Sequence, residues 1–360
     1  MGRFRCVGAL ALVVALAPGA PFGAPAHAGE GIGIVSCEPV GDMQPHCGFR
    51  NPEDLVSIPG TGVLVVSEMG DMLDQSREGA LSTFDVETGV RAELPVSLAP
   101  DGDRWGDPAC APPPHLNPHG IDLRVRPDAR RELLVVSHGG RESVEMFELD
   151  DAGGVWRAQW RGCAIPPGQP LLNDVTALPG GGFATTHMWD RDRSTAGMIF
   201  RFLLGMDTGW VWAWTPVGGF EKLEGTDGTM PNGIASSPDG RFLYIDLYLE
   251  DRVVRYDRKT GRITGEAEVS QPDNVVLGPE GRLWVAGHHH FVGDTECSDI
   301  EGACPWKYSV TVIDPESMVG DAVLVHEGAP MCFASVALPV GDALFLGSAL
   351  GDRIVKMPRP

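Results

Sequence analysis

Short apolar runs bounded by Gly, Pro and Asp recur along the chain. Residues 63–66, 133–136 and 242–245 are examples, each rich in aliphatic or aromatic side chains. Runs of this length and composition are typical of β-strands, whereas no stretch sustains a helical apolar period with capping residues at its ends. The 47 Gly and 30 Pro residues supply the turns that many short strands need. The pattern predicts a nearly all-β protein.

The strands belong to a repeat. In each unit a polar residue opens an apolar strand, a Pro/Gly turn follows, and a second apolar strand comes next. Units begin near residues 54, 119, 174, 232, 274 and 335. Their spacing of roughly 40 to 65 residues matches propeller blades, each a four-stranded sheet beside a central channel. We therefore expect residues 29–360 to form a single six-bladed β-propeller domain.

Closure of such a ring needs a strand from the beginning of the domain beside the last blade. Residues 31–36 are placed to supply that strand against residues 353–356. The alternative architecture is a β-sandwich or a pair of β domains, because irregular β-runs alone do not fix how sheets are arranged.

The first 28 residues have the features of a secretory signal. Arg3 and Arg5 precede an apolar stretch over residues 7–16 that is too short to span a bilayer, and Ala26-His27-Ala28 is a small-x-small cleavage site. We expect residues 1–28 to be removed and the protein to be exported to the periplasm or the extracellular space. An uncleaved membrane anchor is the alternative. No later run reaches about 18 apolar residues, so no stable membrane span is expected.

Seven cysteines follow the signal segment, in a compartment where disulfides persist. Closeness in sequence suggests two local bridges, and a third pairing is looser. The predicted pairs are Cys37 with Cys47, Cys297 with Cys304 and Cys110 with Cys163. Cys332 would then be the odd thiol of the seven. No Cys-x-x-Cys pair occurs, so metal binding by cysteine is not expected.

Composition and charge narrow the function. The chain is 43% hydrophobic and 21% charged, which is ordinary for a globular protein with a sizeable core. Its formal net charge is −21, from 49 acidic and 28 basic residues. Such a surface repels nucleic acid and anionic lipid, so no nucleic-acid partner is expected.

Oxygen-bearing side chains open most of the repeats, directly before apolar strands. In a propeller the first strand of every blade begins near one end of the channel, so these residues converge on the axis. The convergent set is Glu53, Asp54, His119, Asn173, Asp174, Asn232, Asp273 and Asn274. Taken singly, an Asn or Asp before a strand most often caps a turn. Repeated at one position in successive units, they indicate a shared partner, because buried oxygens are costly without one.

A hard cation is the simplest such partner. Calcium takes about six to eight oxygen ligands, including carboxylates, amides and backbone carbonyls. A first, open site would comprise Glu53, Asn173, Asn232, Asp273 and Asn274. Strand neighbours point in different directions, so Asp54 and Asp174 would hold a second calcium with a backbone carbonyl such as that of Ile121. Zinc fits less well, since the set is not histidine-rich.

Two histidines join this cluster in the predicted fold. His119 opens the second repeat and His138 ends its next strand, so strand pairing brings both rings to one end of the channel. A histidine is the natural general base near neutral pH. Taken alone, the pair fits packing or a structural hydrogen bond equally well. We interpret the run 288–290 as surface or loop histidines, with weak transition-metal binding as the alternative.

These motifs occur in the order typical of one family. They are Pro52-Glu53-Asp54, Asn117-Pro118-His119-Gly120-Ile121, Ser137-His138, Leu172-Asn173-Asp174, Asn232-Gly233-Ile234 and Asp273-Asn274. The sequence resembles the paraoxonase/arylesterase family over most of residues 29–360. Members of that family are six-bladed propellers with two calcium ions, and they hydrolyse lactones and aryl esters.

The resemblance implies the same two sets of calcium ligands, and it assigns a role to each set and to the histidines. It implies a catalytic calcium at Glu53, Asn173, Asn232, Asp273 and Asn274, and a structural calcium at Asp54, Asp174 and the Ile121 carbonyl. It implies His119 and His138 as the catalytic pair. Segments 68–75 and 189–193 depart from the family's active-site rim, so the substrate preference does not carry over.

The expected function is calcium-dependent hydrolysis of a small-molecule lactone or aryl ester. One alternative is a gluconolactonase-like or strictosidine-synthase-like enzyme, a group that generally lacks the histidine pair. The other is a non-catalytic exported propeller that binds a ligand and uses calcium only for stability.

Overall fold

Strands are the main regular secondary structure of the described residues. The computed structural model describes residues 33–70, 78–290, 303 and 306–360. The predicted signal segment 1–28 and the predicted Cys297–Cys304 bridge lie outside the described residues. Several turns between strands place a glycine at positive φ, as at Gly180 and Gly281, a conformation that glycine adopts without steric cost.

The strands form six sheets that follow one another along the chain. Strand β1 covers Gln44–Cys47. Blade 1 contains β2 (Pro52–Ser57), β3 (Val63–Glu68), β4 (Ala80–Asp85) and β5 (Arg91–Glu93). Two short strands follow, β6 (Val96–Ser97) and β7 (Trp105–Gly106), and both pair with blade 2. Blade 2 contains β8 (Pro118–Val125), β9 (Arg131–Ser137), β10 (Ser143–Asp151) and β11 (Trp156–Ala164).

The remaining blades have the same plan. Blade 3 contains β12 (Pro170–Ala177), β13 (Phe183–Asp190), β14 (Trp210–Thr215) and β15 (Gly219–Lys222). Blade 4 contains β16 (Pro231–Ser236), β17 (Phe242–Leu247), β18 (Arg252–Asp257) and β19 (Arg262–Glu268). Blade 5 contains β20 (Pro272–Leu277), β21 (Leu283–His288), β22 (Lys307–Ile313) and β23 (Gly320–Glu327). Blade 6 contains β24 (Val336–Val340), β25 (Ala343–Gly347), β26 (Arg353–Pro358) and, at its edge, β1.

The first strands of the blades close a ring. Strands β2, β8, β12, β16, β20 and β24 contact one another in that order, and β24 contacts β2 again. Apolar side chains fill the space between neighbouring sheets; Leu81 of blade 1, for example, packs in one cluster with Val135 and Trp160 of blade 2. The six-bladed propeller predicted from the repeat is therefore confirmed, and the sandwich alternative is excluded.

The ring closes through a different segment from the one predicted. Strand β1 pairs antiparallel with β26, with Gln44 opposite Lys356 and Cys47 opposite Arg353. The prediction that residues 31–36 supply this strand is wrong. Only four residues separate β1 from the first strand of blade 1, so β1 is the segment that the chain path brings to the edge of the last blade.

The described part of the earlier segment is held by a side chain instead. The buried Arg353 guanidinium donates to the carbonyls of Ile34 and Ser36, at 2.8 and 2.7 Å. Ile34 also forms an isolated bridge with Ala303. The disulfide Cys37–Cys47 ties this segment to β1.

Both predicted disulfides within the described residues are present. Cys37 is bonded to Cys47, and Cys110 is bonded to Cys163. The second bridge anchors the loop before blade 2 to the last strand of that blade. Cys332 is fully buried.

A single α-helix, α1 (Thr195–Leu203), occurs among the described residues, between β13 and β14. Ser194 caps its first turn by accepting a hydrogen bond from the Gly197 backbone N–H. None of its residues is buried. In the part of the chain that the structure covers, no helix has the length and apolar character needed to cross a membrane.

Candidate metal centre

A β-bulge recurs where the first strand of a blade begins. Pairing between the first and second strands shifts register between Pro52 and Asp54 in blade 1 and between Pro118 and Ile121 in blade 2. The same irregularity opens blades 3, 4 and 5. A bulge places two residues of one strand opposite one of its partner and re-aims their side chains. Five blades therefore present a polar side chain at the same place, next to the channel, and in blades 1, 3 and 5 a second polar residue follows it.

The bulges bring the predicted first-site residues together. Asn274 Nδ2 donates to Glu53 Oε1 at 2.7 Å, although the two residues lie 221 positions apart in the chain. His119 Nε2 lies 3.9 Å from the same oxygen and 3.4 Å from Asn173 Nδ2. A hydrogen bond from Asn232 acts on the Asp273 carboxyl. All six of these side chains are buried.

Four oxygen atoms of this cluster have no hydrogen-bond partner among the described residues. They are Glu53 Oε2, Asn173 Oδ1, Asn232 Oδ1 and Asn274 Oδ1. Leaving a buried polar atom without a partner costs about 1 to 3 kcal/mol. The amide NH₂ groups of Asn173 and Asn274 contact His119 and Glu53, so the oxygen of each amide is left without a donor. Carboxylate and amide oxygens of this kind are the ligands that calcium prefers, so the residues present fit that ion.

Electrostatics support the same interpretation. Burial raises the pKa of Glu53 well above its ordinary range, with Asp54 and Asp273 adding to the shift. Burial likewise raises the pKa of Asp273 to about 8. Crowded carboxyl groups without a cation resist ionisation, and a bound divalent ion would reverse that effect.

The predicted second-site carboxylates have a different environment. Asp54 Oδ2 accepts from the Ile121 backbone N–H at 2.7 Å, and Asp174 Oδ2 accepts from the Ile234 N–H at 2.8 Å. Each bond joins one blade to the next. Burial raises the pKa of Asp54 to about 7 and that of Asp174 well above its usual value. These carboxylates therefore connect blades even before any ion is considered.

The connection needs glycine on the neighbouring strand. A Cβ at Gly120 would lie 2.4 Å from Asp174 Oδ1, a distance that real side chains do not reach. The second residue of the bulge is Asp54 in blade 1, Gly120 in blade 2, Asp174 in blade 3 and Gly233 in blade 4. Each carboxylate therefore faces a neighbouring blade that has glycine at the same position. Asp54 and Asp174 both border a cavity of about 480 Å³.

The histidine pair is formed by blade 2. His119 Nδ1 and His138 Nε2 are 2.9 Å apart, and both rings are buried. Burial, together with the neighbouring His138, lowers the pKa of His119 well below its ordinary value. His119 therefore remains neutral near pH 7, with a lone pair on one of its two ring nitrogens.

Three buried side chains of this region were not predicted. The first is Glu142, whose carboxylate lies 2.9 Å from His138 Nδ1. The second is His288, which the sequence analysis interpreted as a surface or loop residue. That interpretation is wrong: His288 is buried, with Nε2 3.3 Å from Asp273 Oδ2 and 3.0 Å from the Ala334 carbonyl. Burial lowers its pKa to about 3.

A signal for His288 exists in the repeat. Ser137 pairs with Pro118, the first residue of β8, and Gly287 pairs with Pro272, the first residue of β20. His138 and His288 each follow directly, so they occupy equivalent positions. Tyr248 has the same position in blade 4, and its hydroxyl lies 3.0 Å from His288 Nδ1.

The third unpredicted side chain is Asp246 on β17. Both of its carboxylate oxygens are buried and have no hydrogen-bond partner among the described residues. Burial raises its pKa well above the ordinary value, and Asp273 and Asp174 add to the shift. Its equivalent in blade 3 is Thr186, whose hydroxyl donates to the Asn232 carbonyl. Asp246 makes no equivalent hydrogen bond among the described residues, so its buried carboxyl group is costly there.

Histidine-rich metal binding has no support in the described residues. Among them, no group of three or more His, Cys, Asp or Glu side chains is gathered as a metal site. The candidate centre instead combines the two carboxylates of Glu53 and Asp273 with amide oxygens of three asparagines.

Asp246→Asn replaces the partnerless carboxylate by a neutral side chain of the same shape. We expect the free energy of unfolding in urea, measured with a chelator present, to rise by about 1 to 3 kcal/mol. Asp321→Asn on the exposed part of β23 is the matched control, with a change below about 0.5 kcal/mol. A fall in stability for Asp246→Asn alone would show that this carboxylate has a stabilising partner.

Comparison with known proteins gives matches of limited extent. Residues 166–296 match the model of the SMP-30/Gluconolactonase/LRE-like region. The chain is 28% identical over 182 residues to serum paraoxonase/arylesterase 1 of Homo sapiens, a match that covers 48% of this chain and 49% of that protein. This chain thus spans about half the length of the curated relative that it matches.

Solved structures show the same fold at low identity. The luciferin-regenerating enzyme superposes with a TM-score of 0.53 at 15% identity, covering 87% of this chain and 92% of the other. A gluconolactonase from Xanthomonas campestris superposes with a TM-score of 0.52 at 19% identity, covering 89% and 90%. The chain is therefore similar to SMP-30/gluconolactonase-like proteins in one region of sequence and in its propeller fold.

Proposed function

We propose that this protein is a calcium-dependent hydrolase that opens lactones and cleaves aryl esters. The observation that carries the proposal is the convergence of four partnerless buried oxygens beside a buried histidine pair. The similarity of residues 166–296 to the gluconolactonase-like region supports a lactone as substrate. The similarity to a paraoxonase/arylesterase over half of the chain supports aryl esters as a second class.

Two ions fit the two sets of residues. Glu53, Asp273 and the three amides Asn173, Asn232 and Asn274 would hold the catalytic calcium. Five side chains are fewer than the ligands that calcium usually takes, so room remains for water or substrate. Asp54, Asp174 and the Ile121 carbonyl would hold a structural calcium. Because both carboxylates already join neighbouring blades, that ion would act on stability.

The chemistry divides between the ion and the side chains. Bound calcium supplies a Lewis acid that polarises the substrate carbonyl and stabilises negative charge on its oxygen. His119 would take the proton of the attacking water on Nε2, which faces Glu53 and Asn173. His138, hydrogen-bonded to the other ring nitrogen, holds His119 in place and shares its proton. The proton then returns to the leaving oxygen as the acyl–oxygen bond breaks.

Turnover of a substrate panel tests the proposal. We expect the purified protein with calcium to hydrolyse at least one lactone or aryl ester, and we expect a chelator to abolish that activity. Restoring calcium should restore the rate, since the ion polarises the carbonyl. Calcium binding without turnover on a broad panel would favour the alternative of a propeller that only binds its ligand.

Single substitutions separate the two sites. Glu53→Gln removes a charge from the first site, so we expect activity to fall at least about 100-fold, with the free energy of unfolding nearly unchanged in chelator. Asp54→Asn weakens a link between blades, so we expect a loss of about 1 to 3 kcal/mol of stability in urea denaturation.

The matched control for Glu53→Gln is Glu87→Gln on an exposed turn. It should change neither the activity nor the free energy of unfolding. The division into a catalytic and a structural site fails if Glu53→Gln and Asp54→Asn lose equal stability and equal activity.

We also propose that the protein is exported after removal of residues 1–28. The disulfides Cys37–Cys47 and Cys110–Cys163 support an oxidising compartment. N-terminal sequencing of protein recovered outside the cytoplasm should therefore begin at Gly29. Recovery of the protein only from the cytoplasm, with Met1 intact, would contradict export.

A further inference from the structure

A hydrogen-bonded line runs outward from the candidate centre through blade 2. It begins at His119, passes through His138 and ends at Glu142, with both links at 2.9 Å. His119 and His138 are 3% and 0% exposed, and Glu142 is 8% exposed. Glu142 is the only member that belongs to neither a predicted ligand set nor the predicted histidine pair, so its purpose needs an explanation.

The other partners of Glu142 are all donors. The Leu172 backbone N–H donates to Oε2 at 3.1 Å, and the Arg191 guanidinium bonds to Oε1. Both come from blade 3. The carboxylate is therefore held from two sides, and its position relative to His138 is set by the contact between two blades.

The partners fix which nitrogen of each ring carries hydrogen. A carboxylate oxygen accepts hydrogen bonds, so His138 Nδ1 must donate to Glu142. When His138 carries one hydrogen, on Nδ1, its lone pair lies on Nε2, and His119 Nδ1 must donate to it. The lone pair of His119 consequently lies on Nε2. That nitrogen faces Asn173 Nδ2, an N–H donor, at 3.4 Å, which agrees with the assignment.

This orientation is the one that base catalysis requires. With the opposite tautomer, His119 Nε2 would carry a proton and could not take one from water. When Nε2 gains the proton of water, positive charge forms on the ring pair in a buried place. The Glu142 carboxylate stabilises that charge, and returning the proton to the leaving oxygen restores the starting state.

We propose that Glu142, held by Arg191, is the positioning residue of the histidine pair, which it orients as a proton acceptor through His138. The inference deepens the proposed hydrolase and rests on it for the catalytic role. The tautomers themselves do not depend on turnover. Glu142 also borders a cavity of about 460 Å³, together with Gly140, Gln169 and Arg191, so a small anion has room to approach its position.

Nuclear magnetic resonance of the unsubstituted protein tests the orientation directly. In ¹⁵N-histidine-labelled protein with calcium, we expect hydrogen on Nδ1 of both His119 and His138, with no hydrogen on Nε2 of either ring. His119→Gln and His138→Gln serve to assign the signals. Hydrogen on His138 Nε2 would overturn the proposal, whether or not the protein hydrolyses any ester.

Removal of the carboxylate tests the catalytic consequence. For Glu142→Ala we expect kcat to fall about 10- to 100-fold, while KM and the calcium Kd stay within about twofold. Formate, which fits the vacated space, should restore at least part of kcat, and chloride at equal ionic strength should not. Glu87→Ala, at an exposed position, is the matched control and should respond to neither salt.

The outcomes separate the two proposals. A kcat within about twofold of the unsubstituted value, or a loss that formate does not restore in folded, calcium-binding protein, would overturn the role of Glu142. Absence of turnover in the unsubstituted protein would instead contradict the hydrolase, and it would be seen before any variant is made.

Discussion

Buried oxygen atoms without donors dominate the centre of this propeller. Glu53, Asn173, Asn232 and Asn274 each have one buried oxygen with no hydrogen-bond partner among the described residues. Each such atom costs about 1 to 3 kcal/mol when it has no partner, and a folded domain is stable by only about 5 to 15 kcal/mol. Four of them represent a large fraction of that margin. A cation bound among them, as proposed above, would offset this cost for several of these atoms at once.

The repeat distributes chemistry by position. The opening residue of a blade supplies a ligand or His119, because a bulge turns it towards the channel. The next residue supplies Asp54 or Asp174, whose carboxylates join adjacent blades. The end of the second strand supplies His288 in blade 5, and the residue directly after that strand supplies His138 in blade 2 and Tyr248 in blade 4. The candidate catalytic groups therefore come mainly from the first and third of these positions, whereas the second position connects the blades.

The sequence predicts what depends on the repeat and misses what depends on contacts between blades. Six units with polar openings were sufficient to predict which side chains lie together, because strand order alone brings them to one end of the channel. Glu142 reaches His138 through the turn after β9, and Arg191 and Leu172 of the next blade fix it there. The run 288–290 suggested a loop, yet strand pairing buries His288. The closing strand was misplaced because two candidate segments precede blade 1, and the choice between them depends on how the chain returns to β26.

The central proposal is a calcium ion bound by the first-site oxygens. Anomalous diffraction from crystals grown with calcium tests directly whether an ion binds there. We predict a peak about 2.3 to 2.6 Å from Glu53 Oε2 and from the Oδ1 atoms of Asn173, Asn232 and Asn274. At a saturating calcium concentration, absence of a peak among these oxygens, with the amides turned to donate to one another, would contradict the account.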